Sequence, residues 1–174
     1  MIKLKAAELR TSKPTKKDLA KIKRRDIYFI LEDVLDTYNT GGIFRLADAI
    51  GVKKIFLTGI TETPPNTRIK KASINTTEWV AWEYQESALK ALQKLKKEVS
   101  NIQIIAVEQS PKSTKFTEIN YQTPIAFVVG NETNGVTKET LNISDFIAEI
   151  PMFGVNTSLN VILSLGIVVY QAIK

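Results

Sequence analysis

The 174-residue chain contains no cysteine and no histidine. The first absence removes disulfides, thiolate nucleophiles and the usual zinc clusters. The second removes the side chain that most often moves protons near neutral pH. Any proton transfer must therefore use Arg, Lys, Glu, Asp, Tyr, a substrate group or water. A cysteine-free chain fits a reducing compartment, and the cytoplasm is the expected location. Long hydrophobic runs are also missing. The apolar stretch 159–170 is too short for a membrane span and contains Asn160 and Ser164, so a buried helix is expected there. The N-terminus is polar and basic, unlike a signal peptide.

What is present is an ordinary globular balance, 44% hydrophobic and 24% charged, at a length suited to one domain with a real core. The net charge of +6 is unevenly placed. Residues 1–25 carry ten Lys/Arg against two acids, namely Lys3, Lys5, Arg10, Lys13, Lys16, Lys17, Lys21, Lys23, Arg24 and Arg25 against Glu8 and Asp18. The other residues are slightly acidic. The chain thus divides into a basic arm, 1–25, and a folded domain, 26–174. Such an arm is an electrostatic footprint for a polyanion, nucleic acid above all; its plainer role is a solubilising tail.

Apolar strands alternate with helices along the domain. Strands are predicted at 27–31, 55–60, 102–107, 125–130 and 146–150. A helix starts near Asn39–Thr40, carries the stripe Ile43, Leu46, Ala47, Ile50, and stops at Gly51. A polar segment, 61–78, holds a short helix near 67–73. An amphipathic helix covers 86–99. The last helix, 158–172, is apolar nearly all round and is expected to be buried on most sides. This pattern predicts an α/β fold with a mainly parallel sheet and helices on both faces.

Three stretches exceed what packing needs. In N-T-G-G-I-F-R, 39–45, Asn39 suits an N-cap and Arg45 an i, i+3 pair with Asp48. Gly41 and Gly42 allow a close approach to that helix by another chain or a ligand. In G-N-E-T-N-G, 130–135, an acid between glycines follows a buried strand. It is neither a Walker loop nor a Rossmann fingerprint. Its plain reading is a strand-to-helix turn with Glu132 as a helix-start acid. In I-P-M-F-G-V-N-T-S-L-N, 150–160, Ser158 can cap the last helix. Asn160, in that helix's first turn, is the residue least explained by packing.

These three segments, in this order, resemble the three motifs of the SpoU-type (TrmH-like) RNA ribose 2′-O-methyltransferases of the SPOUT class. The resemblance runs from about residue 27 onward. It implies a C-terminal trefoil knot, S-adenosylmethionine held in the knot, and a homodimer with active sites at its interface. By position, Asn39, Arg45, Glu132, Ser158 and Asn160 match the motif residues. Gly130, Asn131, Ile150, Met152, Ser158 and Leu159 match places where the cofactor is held; no metal is implied. No separate RNA-recognition domain is expected besides the basic arm, so the choice between tRNA and rRNA does not carry over.

The implied chemistry is an in-line displacement, in which alignment supplies much of the acceleration. With no histidine, the resemblance puts Arg45 at the ribose hydroxyl. A guanidinium is a donor and a poor base, so its expected role is a clamp on phosphate and developing oxyanion. The proton acceptor is then a substrate phosphate or water. Three other functions remain open at this stage: a SPOUT base methyltransferase, a non-catalytic RNA-binding module of the same fold, and a flavodoxin-like nucleotide-binding protein.

Overall fold

A computed structural model describes residues 4–174, apart from the side chains of residues 6, 10 and 11. Lys3 and the Arg10 side chain of the basic arm therefore lie outside the described residues. The rest of the arm forms two short helices, α1 (Ala6–Thr11) and α2 (Lys16–Ala20), interrupted around Pro14. Thr15 and Asp18 cap each other's backbone N–H groups at the start of α2.

The arm rests on the domain rather than trailing from it. Asn75 Nδ2 donates to the Leu9 carbonyl at 2.8 Å, and Lys13 pairs with Glu78. Arg24 Nη2 donates to the Trp79 carbonyl at 3.1 Å.

Seven parallel strands make one sheet: β1 (Arg25–Glu32), β2 (Val52–Thr58), β3 (Trp82–Gln85), β4 (Gln103–Val107), β5 (Thr114–Lys115), β6 (Ile125–Val129) and β7 (Phe146–Glu149). Their order is β3-β2-β1-β6-β4-β7-β5. Four α-helices lie between them, α3 (Thr37–Ile50), α4 (Thr67–Ser73), α5 (Ala88–Glu98) and α6 (Lys138–Ile143), and α7 (Val161–Ala172) follows β7.

Strand periodicity of two sorts the core into two layers. Ile27, Phe29, Leu31, Ile55, Leu57, Phe127 and Val129 face one side, under α3, α4 and α7. Tyr28, Ile30, Phe56, Ile104, Ala126 and Val128 face the other, under α5 and α6. The central strands are apolar on both faces because both faces are covered, which is what a parallel sheet requires.

Several local expectations change. The N-cap of α3 is Asp36, whose side chain accepts from Tyr38 N at 2.8 Å, not Asn39. The helix starts two residues earlier than predicted, and Asn39 turns inward. The cap of α7 is Asn160, which accepts from Ile162 N at 2.9 Å, not Ser158. Asp48 does not pair with Arg45; it accepts from Trp79 Nε1 at 2.7 Å. Glu132 starts no helix, since α6 begins at Lys138 after the Thr137 cap.

Nor is α7 buried on most sides. Leu165, Val168 and Val169 are buried, while Leu163, Ile167 and Tyr170 face solvent. β3 and β5 escaped prediction because both are short and carry no buried apolar run.

Candidate active site

The C-terminal ends of β4, β6 and β7 open into a cleft of about 520 Å³. Two loops form its walls, residues 130–136 after β6 and 150–160 after β7. Gly130, Asn131, Ile150, Met152, Ser158 and Leu159, all flagged by sequence, line it together with Glu132 and Asn160. Its lining includes two carboxylates, Glu108 and Glu132, and, among the described residues, no lysine or arginine.

Loop 130–136 is tightly closed. Asn131 and Gly135 exchange backbone hydrogen bonds at 3.1 and 2.8 Å. Gly130 has no room for a Cβ, which would strike the Gly135 carbonyl. The Asn131 side chain is used by the loop itself. Its oxygen accepts from Thr133 N and Asn134 N at 2.9 and 3.0 Å, and its nitrogen donates to the Asp33 carbonyl at 2.9 Å. Any ligand contact at Asn131 falls to its backbone.

A chain of hydrogen bonds crosses the motifs. Glu132 accepts from Leu35 N at 2.9 Å, from Asp36 N at 3.1 Å and from Asn39 Nδ2 at 2.8 Å. Asn39 Oδ1 then accepts from Asn160 Nδ2 at 2.9 Å. Asn160 is thereby explained: its amide joins the start of α7 to the start of α3. Burial raises the Glu132 pKa, but the Asn39 amide and the backbone N–H groups outweigh it and hold the carboxyl below its usual value. Glu132 is thus a fixed anion that orients two amides.

Close helix approaches support this chain. A Cβ at Gly41 would sit 2.6 Å from Ala72 Cβ and 2.7 Å from the Ile69 carbonyl on α4. One at Gly42 would strike Ile162 on α7. The neighbours admitted by these glycines are the chain's own helices.

Ser158 donates its hydroxyl to Asn156 Oδ1 at 3.2 Å within its loop. Arg45 is exposed on α3 and does not line the cleft. It has no hydrogen-bond or ion-pair partner among the described residues. Of the five motif residues, three therefore line the cleft, Asn39 buttresses it, and Arg45 stands outside. Sequence reasoning missed Glu108 and Gln109 of the lining. Both follow β4, just past the predicted strand 102–107.

The chain matches the SpoU rRNA Methylase family over residues 26–170 and belongs to that family. It is similar to the tRNA (guanosine(18)-2′-O)-methyltransferase of Aquifex aeolicus, with 32% identity over 156 residues, 86% of this chain and 70% of that protein. In structure it resembles the A. aeolicus TrmH/SpoU tRNA modifying enzyme, with a TM-score of 0.78 and 29% identity over 96% of this chain and 80% of that one. It also resembles the AdoMet-bound rRNA methyltransferase from Sinorhizobium meliloti, with a TM-score of 0.78 and 26% identity. That match covers 87% of this chain and 57% of the other.

Proposed function

We propose that this protein is an S-adenosylmethionine-dependent methyltransferase acting on the ribose 2′-hydroxyl of a nucleotide in tRNA or rRNA. One observation carries the reading. In a SpoU-family chain, a cleft at the strand ends is lined by carboxylates and lacks any basic side chain. Such a lining suits a cationic sulfonium and repels the phosphates of ATP or NAD. The apolar side chains of Val107, Val129, Ala148 and Met152 suit an adenine ring, and the cleft volume lies in the range for small-molecule sites.

Gly130, Ile150, Met152, Ser158 and Leu159 would hold the cofactor, which when bound supplies an electrophilic methyl group. The remaining work falls to the chain. Glu132, Asn39 and Asn160 orient one another at the cleft and shape the pocket for the acceptor. Arg45 clamps the substrate phosphate and stabilises the 2′-oxyanion as it forms, through the two parallel donors of its fork. The hydroxyl proton leaves to a phosphate oxygen or water.

Arg45 is outside the cleft of its own chain, which fits a site completed between two copies. A homodimer also gives a role to Leu163, Ile167 and Tyr170 on α7 and to Phe153 and Val155 in the preceding loop, all exposed. The trefoil knot belongs with the same reading. It is compatible with a sheet in which β6 and β7 are inserted between strands formed earlier in the chain.

RNA would lie along the basic arm and the exposed Arg68, Lys70 and Lys71 of α4, which α4's contact with Gly41 brings beside α3. An RNA substrate and a cysteine-free chain fit a cytoplasmic setting.

The test is incubation with methyl-labelled S-adenosylmethionine and bulk RNA, followed by digestion to nucleosides. Label on ribose is expected. Label on a base would move the activity to base methylation. No transfer, with ATP or NAD binding in place of S-adenosylhomocysteine, would overturn the reading.

A further inference from the structure

Glu108 and Gln109 follow β4 directly and touch both walls of the cleft. The Glu108 carboxylate accepts from Val136 N at 2.9 Å through Oε2 and from Gln109 N at 2.8 Å through Oε1. The turn at Gly135 is moulded around it, because a Cβ there would strike the carboxylate. Gln109 Nε2 reaches the other way and donates to the Thr157 carbonyl at 2.6 Å.

That last bond has no equivalent. Among the described residues, no other hydrogen bond joins segment 151–159 to the rest of the chain. Within the segment, Asn156 Oδ1 accepts from the backbone and hydroxyl of Ser158. Phe153 and Val155 are fully solvent-exposed, at 97% and 102%. A cleft wall held so sparsely has low local stability, and its position depends on its few anchors.

We infer that Gln109 is the positioning residue that latches segment 151–159 over the cofactor cleft, while Glu108 beside it fixes the facing loop 130–136. The inference rests on the proposed function only for the identity of the ligand. The pair sets cleft width from one rigid strand end. A carboxylate has about four acceptor positions, and two of Glu108's are filled by the backbone. The latch therefore also offers spare acceptor capacity to hydroxyl or amine donors of a ligand. Binding should in turn order the segment.

The experiment uses the full chain with Gln109→Glu, which keeps the size and loses the donor. Proteolytic cleavage within 151–159 is read without ligand, and S-adenosylhomocysteine affinity by calorimetry. Loss of one such bond should speed cleavage in 151–159 and weaken binding, each by about tenfold. In turnover, KM for the cofactor should rise while kcat at saturation holds. Glu108→Gln should shift the faster cleavage to 130–136. Unchanged cleavage in 151–159 would overturn the latch, as would faster cleavage spread evenly over the chain. A wild type that fails to bind S-adenosylhomocysteine would remove the functional reading, while the cleavage measurement still decides the latch.

Discussion

Two carboxylates, Glu32 and Glu132, each accept three hydrogen bonds between the end of β1 and the segment that follows β6. Glu32, at the end of β1, accepts from Thr137 N, Thr137 Oγ1 and Thr140 Oγ1 at 3.0, 2.8 and 2.7 Å and is only 5% exposed. Glu132 accepts from Leu35 N, Asp36 N and Asn39 Nδ2 and stays open to solvent. The hydrogen-bond count is equal, but the destinations differ. The Glu32 network ends inside the protein at the Thr137 cap of α6. The Glu132 network runs on through Asn39 to Asn160 and ends at the cleft. A sealed anion fixes a helix start, whereas an open one also passes its orientation to whatever enters the site.

The largest effect should come at Arg45, which belongs to neither network. As the proposed substrate clamp, Arg45→Ala and Arg45→Lys should each lower single-turnover methylation by on the order of 10²–10³, since lysine lacks the planar fork. Melting should hold, because among the described residues Arg45 has no hydrogen-bond or ion-pair partner to lose. Normal methylation by Arg45→Ala would remove its assigned role, and a large fall in melting temperature would make it structural.

The two carboxylates can then be set against each other directly. Glu32→Ala strands the buried Thr140 hydroxyl and the two part-buried donors of Thr137 and should cost about 3 kcal/mol. At this chain length that lowers the melting temperature by roughly 10 °C. Glu132→Gln should melt within a few degrees of wild type yet lose turnover by about tenfold or more, as Asn39 and Asn160 lose their fixed orientation. Equal melting losses for the two variants would erase the distinction.

A smaller effect is expected at the arm. Lys16, Lys17 and Lys23 are exposed, and changing them to glutamine leaves the Arg24 anchor intact. For each that contacts a phosphate, the log–log salt slope of RNA binding should fall by about 0.7–0.9. An unchanged slope would make the arm a tail.

Acid titration should give the mildest difference. Glu132 has its pKa lowered in the folded state, so its stabilisation is present above about 4.5, the ordinary value for the group, and fades as pH falls through the lowered value. Glu83 follows the same sign more strongly. Burial opposes its ionisation, but hydrogen bonds from Lys94, Lys54 and Gln85 bring it down to about 2. Melting curves between pH 5 and 2 should therefore flatten more for Glu83→Gln than for Glu132→Gln.

How much of this was legible in the chain follows from range. The apolar runs that became β1, β2, β4, β6 and β7 were readable, because burial on both faces leaves a local mark. α4 was readable from its polar surroundings and matches residues 67–73. β3 was not, since an edge strand of sequence WEYQ carries no apolar run. Asn39 was picked out but misjudged as a cap. Asp36, three residues earlier, takes that role, and the partner that turns Asn39 inward lies at Glu132, far along the chain. The boundary at Asn160 failed similarly, because Ser158 is an equally good cap on local grounds. Glu108 and Gln109 were invisible for the same reason: what distinguishes them is their contacts with Val136 and Thr157, which no window of sequence contains.

The strand order also bears on how the chain is made. Its middle is completed late: Ile27 through Leu31 of β1 pair with Ile125 through Val129 of β6. During synthesis β1 has β2 on one side and an open edge on the other until that distant segment emerges. β4, made later, also emerges before either of its final neighbours, β6 and β7. The open edge of β1, a strand buried on both faces in the finished fold, is thus exposed until residues 125–129 are made, which invites pairing with other nascent chains. Pairing across such sequence separations is also slow. This protein should therefore depend on chaperones that shield strand edges more than its modest size suggests.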